Sequence, residues 1–434
     1  MVLIILHKYD SVFINELAKL KIFKFFVTVF HVQIFRIANP SISAGGGELR
    51  SYNVIKYLSR KAKITVVPPL SALCGKNVEE IIKDIKSLNV EVPYKIEELA
   101  KKCKSYPKNP LSIVKMERDY YSNFIEEAKT SDIIFSDHTS YSLVSAISLL
   151  REKSNVKSVT VLQEGNLKSV YNLKCMIRLR GFNALTLLKY FRNLYGNMIF
   201  KKYSKDLDFL LGVSKASIDE FKELGLVRKE TPWKVLKPAN AFEKDLLNYS
   251  SSEKEDYAIF FARLIPEKGI FELPRIWKKV KERIPNAKLV VVGKFFNEKI
   301  KKKFLSMAKD GIEYRGYLPR EELIKTVAKA KVFVYPTHFD AFPLAVLESL
   351  ALKTPVVAYS IPTIVEIFGK LKAVKFVKEF DVSGMANNIV EFYNLKEYDS
   401  IFDEEYKSFI NFYSSWEKVA DAEYNALKEF LETK

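Results

Sequence analysis

Two carboxylates stand eight positions apart in the stretch THFDAFPLAVLESLALKTPVVAYS, residues 337–360. Asp340 follows an apolar run that predicts a strand, and Glu348 lies one to two turns into the helix predicted after it. Carboxylates accept hydrogen bonds from vicinal hydroxyls, such as those of a ribose or a hexose. Because no cluster of further ligands accompanies the pair, its spacing disfavours metal binding. The alternative is that Glu348 only solvates a helix face.

Two cations follow another apolar run, AIFFA, at residues 258–262. The next stretch, RLIPEKGI, places Arg263 and Lys268 on a loop that we expect to open a helix near Gly269. Positive charge, N–H donors and the helix dipole would together favour an anion such as a diphosphate. Taken alone, such a pair is equally compatible with a solvated surface.

The second half of the chain alternates short apolar runs with helical stretches, and this pattern must position these four side chains. The predicted strands are 258–262, 288–293, 312–316, 332–336, 355–359 and 373–377. Helices such as 269–284 and 320–329 separate the first five. Continuous apolar strands joined by helices indicate a parallel sheet covered on both faces. The second half is therefore predicted to be a Rossmann-like domain.

The first half repeats this pattern. The segment FHVQIFRIANP leads into a Gly-rich turn, and AGGGELRSYNVIKYLSR predicts a helix. Further strands are predicted at KITVVPP, DIIFSD, SVTVLQEG and FLLGVS. The polar stretch 231–257, with two prolines, is typical of a domain boundary. We therefore predict an α/β fold of two Rossmann-like domains facing a cleft, with ligands beyond the carboxyl ends of the strands.

Composition narrows the class of partner. The chain has 434 residues and a formal net charge of +18, which favours a nucleic acid, a phosphorylated small molecule or a membrane surface. Three widely spaced cysteines, Cys74, Cys103 and Cys175, predict neither a metal site nor a disulfide, and hence a reducing, cytoplasmic location. The uncharged run of 11 residues after Lys24 is shorter than the roughly 20 that span a bilayer, and no signal-peptide cleavage site follows it.

The order of these motifs resembles the donor domain of glycosyltransferase family 4, the retaining nucleotide-sugar enzymes with the two-Rossmann GT-B fold. The motifs RLIPEKG, VVVG, DAFPLAVLE and TPVVAYS stand in that family's order. The C-terminal YSSWEKVADAEYNALKEFL is similar to the family's closing helix. The resemblance implies an extension over 1–29, an acceptor-side domain over 30–235, a donor domain over 236–412 and a helix over 413–434 that crosses back to the first domain.

The resemblance also implies roles for individual residues. The implied donor-binding residues are Gly46, Gly47, Arg263, Lys268, Tyr317, Leu318, Asp340, Phe342, Pro343, Leu344 and Glu348. In this set Arg263 and Lys268 would bind the diphosphate, Glu348 the ribose hydroxyls and Asp340 the transferred sugar. The nucleotide base would lie near Tyr317 and Leu318, and the backbone of 342–344 would line the sugar.

On the first domain, the resemblance implies that the glycine loop approaches the donor closely and that His138 reaches a sugar hydroxyl. The implied catalytic residues are His138, Arg263, Lys268 and Asp340. A structural histidine is the alternative for His138. Gln163 and Glu164, after the next strand, are expected to face the cleft.

Some positions depart from the family's pattern. Asp340 replaces the first glutamate of the motif, and Ala341 and Lys353 stand where glycines are frequent. After PVVAYS only Glu366 matches the family, and PANAF at 238–242 lacks the usual Asn-Gly. These departures bear on the identity of the donor.

The expected activity is transfer, with retention, of a hexose-type sugar from a UDP- or GDP-linked donor to a glycan or a polyprenyl or other lipid-linked acceptor. No metal or cofactor is expected. Residues 167–205 carry nine Lys or Arg and no Asp or Glu among aromatic and aliphatic residues, which predicts peripheral contact with the inner face of the cell membrane. A solvated basic face is the alternative there, and nucleic-acid binding is not expected. The alternative functions are an inactive scaffold on this fold, a nucleic-acid binder, a sugar phosphorylase and a transferase with a soluble acceptor.

Overall fold

The computed structural model describes residues 32–42, 45–309 and 311–433. The predicted extension over 1–29 lies outside the described residues. Within these ranges the chain forms two six-stranded sheets, and every recorded strand pairing is parallel. The predicted fold of two Rossmann-like domains is therefore confirmed.

The first sheet has the strand order β2-β1-β3-β4-β5-β6. Its strands are β1 (Gln33–Ile37), β2 (Lys63–Val67), β3 (Ile133–Ser136), β4 (Lys157–Leu162), β5 (Phe209–Gly212) and β6 (Trp233–Val235). Its helices are α1 (Gly46–Leu58), α2 (Leu70–Leu73), α3 (Val78–Lys86), α4 (Lys95–Lys101), α5 (Pro110–Tyr121), α6 (Ile125–Lys129), α7 (Tyr141–Ser154), α8 (Leu167–Tyr171), α9 (Leu173–Arg180), α10 (Ala184–Tyr203) and α11 (Lys215–Glu223).

The second sheet has the order β12-β11-β10-β7-β8-β9. Its strands are β7 (Glu255–Phe261), β8 (Lys288–Val292), β9 (Ile312–Gly316), β10 (Ala330–Tyr335), β11 (Val356–Tyr359) and β12 (Val374–Val377). The remaining helices are α12 (Leu273–Lys281), α13 (Glu298–Met307), α14 (Arg320–Lys329), α15 (Leu344–Ala351), α16 (Pro362–Phe368), α17 (Val382–Tyr393), α18 (Glu404–Phe412) and α19 (Trp416–Glu432).

The apolar runs of the sequence form these strands because helices cover both faces of each sheet. Every residue of β3, β5 and β11 is buried, as expected for parallel strands inside a layered α/β domain. The described part of the chain contains no helix that is long and apolar enough to cross a membrane.

The C-terminal helix α19 packs against α1 of the first domain through a buried group of charges. Glu423 of α19 accepts hydrogen bonds from Arg36 of β1 at 2.7 Å and from Arg50 of α1 at 2.8 Å. Arg36 also binds Asp137, which follows β3, and all four side chains are fully buried. Because buried charges are tolerated only when they are paired, this network ties α1 to β1, to the residue after β3 and to α19.

Three local expectations were wrong. The helix after the Arg263–Lys268 loop begins at Leu273, not near Gly269, because a short 3-10 turn, Pro266–Lys268, and a left-handed Gly269 precede it. The stretch predicted to be only a boundary contains the short edge strand β6. Cys74 and Cys103 form a disulfide, with their Cα atoms 5.3 Å apart, because the ends of α2 and α4 come together despite a separation of 29 residues.

Candidate active site

The order of the strands creates one switch point in each sheet, where the chain reverses its direction of winding. In the first sheet this point lies between β1 and β3, and in the second between β7 and β10. Loops leaving two such neighbouring strands diverge and open a crevice at their carboxyl ends. The glycine loop follows β1 and His138 follows β3, while Arg263 follows β7 and Asp340 follows β10. The fold therefore brings together loops that are far apart in sequence.

A cavity of about 380 Å³ lies between the domains at these strand ends. Nine of the predicted site residues line it: Gly46, Gly47, His138, Arg263, Lys268, Asp340, Phe342, Pro343 and Leu344. Gln163 and Glu164 line it as well. The cavity has cationic groups on its second-domain wall and a glycine-rich backbone on the other.

Lys268 and Asp340 form an ion pair in the wall of the cavity. The Lys268 ammonium lies 2.5 Å from Asp340 Oδ2, 3.0 Å from the Phe339 carbonyl and 3.1 Å from the Tyr335 hydroxyl. The Tyr335 hydroxyl donates to the same Asp340 oxygen at 2.5 Å, and burial together with the Asp340 charge raises the pKa of Tyr335 well above its usual value. Lys268 and Asp340 thus fix each other's position.

Arg263 differs from Lys268 in its surroundings. Its side chain is exposed. Among the described residues, the Arg263 guanidinium makes no ion pair or hydrogen bond. Gly269 allows the loop to pass closely under β10, because a Cβ there would lie 2.0 Å from the Pro336 carbonyl oxygen. The loop therefore offers two cations to an anion in the cavity. Hydrogen-bond partners hold Lys268 in place, whereas the Arg263 side chain has no such partner among the described residues.

The first-domain wall is built from the start of α1 and the ends of β3 and β4. A Cβ on Gly46 would lie 3.6 Å from Leu344 Cδ1, and one on Gly47 would lie 3.5 Å from His138 Cε1. Gln163 donates to the Asp137 carbonyl at 2.7 Å. Burial, together with the charge of Glu220, raises the pKa of Glu164 to about 7. A carboxyl group that titrates near neutrality in a cleft is a candidate for proton exchange with a ligand.

Three predicted donor residues do not line this cavity. Glu348 forms a two-pronged ion pair with Arg320, with N–O distances of 3.0 and 2.5 Å. Leu318 is buried, whereas the Tyr317 ring is exposed and has the Lys294 ammonium 4.4 Å from its centre. The predicted base pocket is thus open surface next to a lysine.

Two of the positions compared with the family pattern, the departure at Lys353 and the match at Glu366, have a structural explanation. Lys353 has a φ of +54°, which is the left-handed conformation that favours glycine. Glu366 reaches the first domain, where its carboxylate accepts hydrogen bonds from the backbone N–H groups of Lys215 at 2.8 Å and Ala216 at 2.7 Å. It therefore caps the N-terminus of α11 rather than lining the cavity.

Residues 242–409 match the family model described as glycosyl transferases group 1. This region is a group 1 glycosyltransferase domain. The capsular polysaccharide biosynthesis glycosyltransferase CapM of Staphylococcus aureus is 25% identical over 173 residues, which are 35% of this chain and 43% of CapM. The chain spans less than half the length of the curated relatives that it matches.

Solved structures support the fold of both domains. Sucrose-phosphate synthase of Thermosynechococcus elongatus superposes with a TM-score of 0.69 and 14% identity, over 93% of this chain and all of that one. Anabaena HepE, in complex with UDP-glucose, superposes with a TM-score of 0.65 and 14% identity, over 92% of this chain and all of that one. The predicted family is confirmed at the level of group 1 and of the fold. Membership of family 4 and retention stay predictions.

The glycosyltransferase domain is held to the first domain around the cavity. A Cβ on Gly165 would lie 2.5 Å from the Asp340 carbonyl oxygen, so only glycine fits there without a shift. Asn166 donates to the His338 carbonyl at 2.6 Å. Glu267, next to Lys268 in sequence, pairs with Arg180 and, at 2.8 Å, with Lys189. These contacts keep the two walls of the cavity close together.

His338, two residues before Asp340 in the sequence, is fully buried in the glycosyltransferase domain. Its ring contacts Glu272 at 2.6 Å and Glu379 at 2.8 Å. Although burial opposes the charged form, the hydrogen bonds to these two carboxylates raise the pKa of His338 above its usual value. The histidine is a structural support for the loop after β10.

Several site residues were missed by the sequence reasoning. Tyr335 was taken only as the end of a strand, and Arg320 only as the start of a helix. Thr139 and Asn240 line the cavity as buried polar residues, each with one side-chain oxygen that makes no hydrogen bond within the described part of the chain. Position after a strand would have indicated Thr139, but no local signal marks Arg320 as a partner of Glu348.

Proposed function

We propose that this protein transfers a hexose-type sugar, with retention, from a UDP- or GDP-linked donor to a glycan or lipid-linked acceptor. The observation that carries the proposal is the cavity between the switch points, where Arg263 and Lys268 face the glycine loop and His138. This arrangement suits a diphosphate against the second domain and a sugar between the two walls. The UDP-glucose bound to the Anabaena relative supports a nucleotide-sugar donor of this class.

In this proposal Arg263 and Lys268 bind the diphosphate and stabilise the charge that develops on it as the bond to the sugar breaks. Two cationic side chains supply this stabilisation, so the proposal includes no divalent ion. Asp340, held by Lys268 and Tyr335, accepts hydrogen bonds from the transferred sugar. The backbone of 342–344 and the glycine loop close around that sugar.

Retention follows if the acceptor attacks from the side that the diphosphate leaves. The bond between the anomeric carbon and the phosphate oxygen breaks, and a bond from the acceptor oxygen to that carbon forms on the same face. The acceptor proton passes to the departing phosphate oxygen, so the products are the glycosylated acceptor and the nucleoside diphosphate. Asp340 is a poor covalent nucleophile in this setting, because Lys268 and Tyr335 already bind its carboxylate.

The acceptor is proposed to enter along the first domain, past His138, Gln163 and Glu164. Helix α10 extends that wall and exposes apolar side chains on one side: Leu185, Leu188, Phe191 and Met198 are between 62% and 67% exposed. The segment 167–205 is basic throughout, and such a surface fits the anionic inner face of a membrane. Arg178, Arg180 and Lys189 of this segment contact the second domain instead, and Lys168 pairs with Glu223 at 2.6 Å. The basic residues left for lipid are Lys174, Arg192, Lys201, Lys202 and Lys205.

Sedimentation with vesicles tests the membrane contact. The wild type is expected to bind vesicles rich in phosphatidylglycerol and to stay in solution with neutral phosphatidylcholine, because charge and apolar burial act together. A Leu188→Glu/Phe191→Glu variant is expected to lose this binding. Phe296→Glu is the matched control, since Phe296 is 77% exposed on the other domain. Equal binding by all three proteins would reject the α10 surface and favour a soluble acceptor.

Thermal stabilisation by nucleotides tests the donor site. UDP, GDP, ADP and their sugars, together with inorganic phosphate and a free sugar phosphate, are compared on the purified protein, with Glu348→Ala as the control. A ligand at about 100 times its Kd stabilises the folded state by about 2.7 kcal/mol. A shift with one nucleotide, reduced in the variant, supports the proposal and names the base. The absence of any shift would favour an inactive scaffold on this fold, and a shift with inorganic phosphate and a free sugar phosphate alone would favour a phosphorylase.

A further inference from the structure

Glu348 is held by a partner that no sequence motif indicates. Arg320, the first residue of α14, donates from Nη1 to Glu348 Oε2 at 3.0 Å and from Nη2 to Oε1 at 2.5 Å. The Glu348 side chain is 12% exposed, whereas that of Arg320 is 48% exposed. A planar guanidinium that meets both oxygens of a carboxylate restricts its orientation more than a lysine could.

The position of Glu348 relates this pair to the cavity. Glu348 and Ala345 lie three residues apart on α15, so they share one face of the helix, and Ala345 lines the cavity. The carboxylate is therefore one helical turn beyond the cavity wall. A carboxylate has about four lone-pair sites. Arg320 takes one site on each oxygen, and one site on each oxygen is left for another donor.

The surroundings of the pair are acidic. Burial favours a lower pKa for Arg320, but the negative charges of Glu348, Asp245 and Glu243 outweigh burial and raise this pKa. Without the guanidinium, three carboxylates would stand close together, and Glu348 would turn away from its present position. Arg320 thus determines where this carboxylate points.

We propose that Arg320 is a positioning residue for the ribose of the donor: it holds Glu348 so that the two remaining lone-pair sites meet the vicinal 2′ and 3′ hydroxyls. The inference rests on the proposed function, since it needs a nucleotide donor. It adds that recognition of the ribose depends on a residue that does not itself contact the nucleotide.

The test compares the binding of one nucleoside diphosphate with that of its 2′-deoxy counterpart by titration calorimetry. The nucleotide used is whichever of UDP, GDP or ADP the wild type binds. Losing one hydrogen bond to a charged group is expected to weaken wild-type binding of the deoxy form by about 10-fold. In Arg320→Ala this ratio is expected to fall to about 1–2, and the deoxy form is also expected to bind more weakly than it does to the wild type, because it loses its 3′ contact with Glu348. Arg320→Lys, which keeps the charge but not the two-pronged geometry, is expected to give an intermediate ratio.

Arg315→Ala is a matched control. Arg315 makes a similar two-pronged pair with Glu313, at 2.8 and 3.2 Å, on strand β9 and away from the cavity. This variant is expected to keep the wild-type ratio. A melting curve for each variant verifies folding.

Adding Arg320→Ala to Glu348→Ala distinguishes positioning from direct contact. If Arg320 acts only through Glu348, the double variant binds both nucleotides as Glu348→Ala does. A further equal loss for both nucleotides would overturn the inference, because Arg320 would then contact the phosphate or the base. A wild-type ratio in Arg320→Ala would overturn it as well. Failure of the wild type to bind any of the three diphosphates would instead refute the proposed function, and the inference with it.

Discussion

Replacing Lys268 by methionine should affect stability and turnover by two separable mechanisms. The Lys268 and Asp340 side chains are 11% and 16% exposed, and the ammonium makes three polar contacts. Removing one partner of a buried ion pair costs about 3–5 kcal/mol, and this partly solvated pair belongs at the lower end, about 3 kcal/mol. Loss of a charged contact to the leaving diphosphate should cost a further 2–4 kcal/mol of transition-state stabilisation, or roughly 30- to 1000-fold in rate.

The two effects separate in a Lys268→Met/Asp340→Asn variant. Because the amide removes the unpaired charge, the double variant should recover most of the lost unfolding free energy, and its turnover should stay as low as that of Lys268→Met. Unfolding is measured in urea by tryptophan fluorescence, and turnover by release of nucleoside diphosphate from the donor that the nucleotide panel identifies.

Lys95→Ala is the control for this prediction. Lys95 pairs with Glu127 at 2.6 Å in the first domain, with side chains 25% and 27% exposed. This variant should lose a little stability and no turnover. If the double variant recovered turnover, or if Lys268→Met turned over at the wild-type rate, Lys268 would not act on the leaving group. If the double variant stayed as unstable as the single one, the ion pair would not explain the loss.

Three further predictions concern stability. Burial favours a higher pKa for Glu267, but the two cations that contact its carboxylate lower this pKa from 4.5 to about 2. The Glu267 carboxylate therefore stabilises the folded protein fully above pH 4.5, and this contribution is lost as the pH falls toward 2. Glu267→Gln should therefore cost up to about 3 kcal/mol at pH 7 in urea unfolding, with the difference from the wild type narrowing between pH 5 and pH 3; a constant difference would contradict this assignment. At the left-handed Lys353, glycine should be more stable than alanine by about 1 kcal/mol in the same assay, and the reverse order would show that the position is unstrained. Thiol titration of the unreduced, denatured protein should find one thiol, and reduction of the Cys74–Cys103 bond, which closes a loop of 29 residues, should cost about 3–4 kcal/mol; three thiols would rule out the disulfide.

The amino-acid sequence determined the two sheets and the loops that form the cavity. Continuous apolar runs predict buried parallel strands, since only such strands are covered on both faces, and the polar residues that follow them predict which loops meet a ligand. The 3-10 turn before Gly269 and the edge strand β6 were not predictable in this way, because each depends on a neighbouring strand or backbone that lies elsewhere in the chain.

Tertiary structure decided which side chains are partners. Lys268 and Asp340 each fitted a separate role in the sequence, but the ends of β7 and β10 place them 2.5 Å apart. Glu348 could only be predicted as a hydroxyl acceptor, and its pairing with Arg320, 28 residues away, results from the packing of α14 and α15 against the same strand, β10. The disulfide also results from tertiary packing, because the ends of α2 and α4 meet in the fold and no local sequence pattern predicts that they do. Periodicity and turn chemistry are local properties and can be read from neighbouring residues, whereas ion pairs and cross-links depend on how distant elements pack.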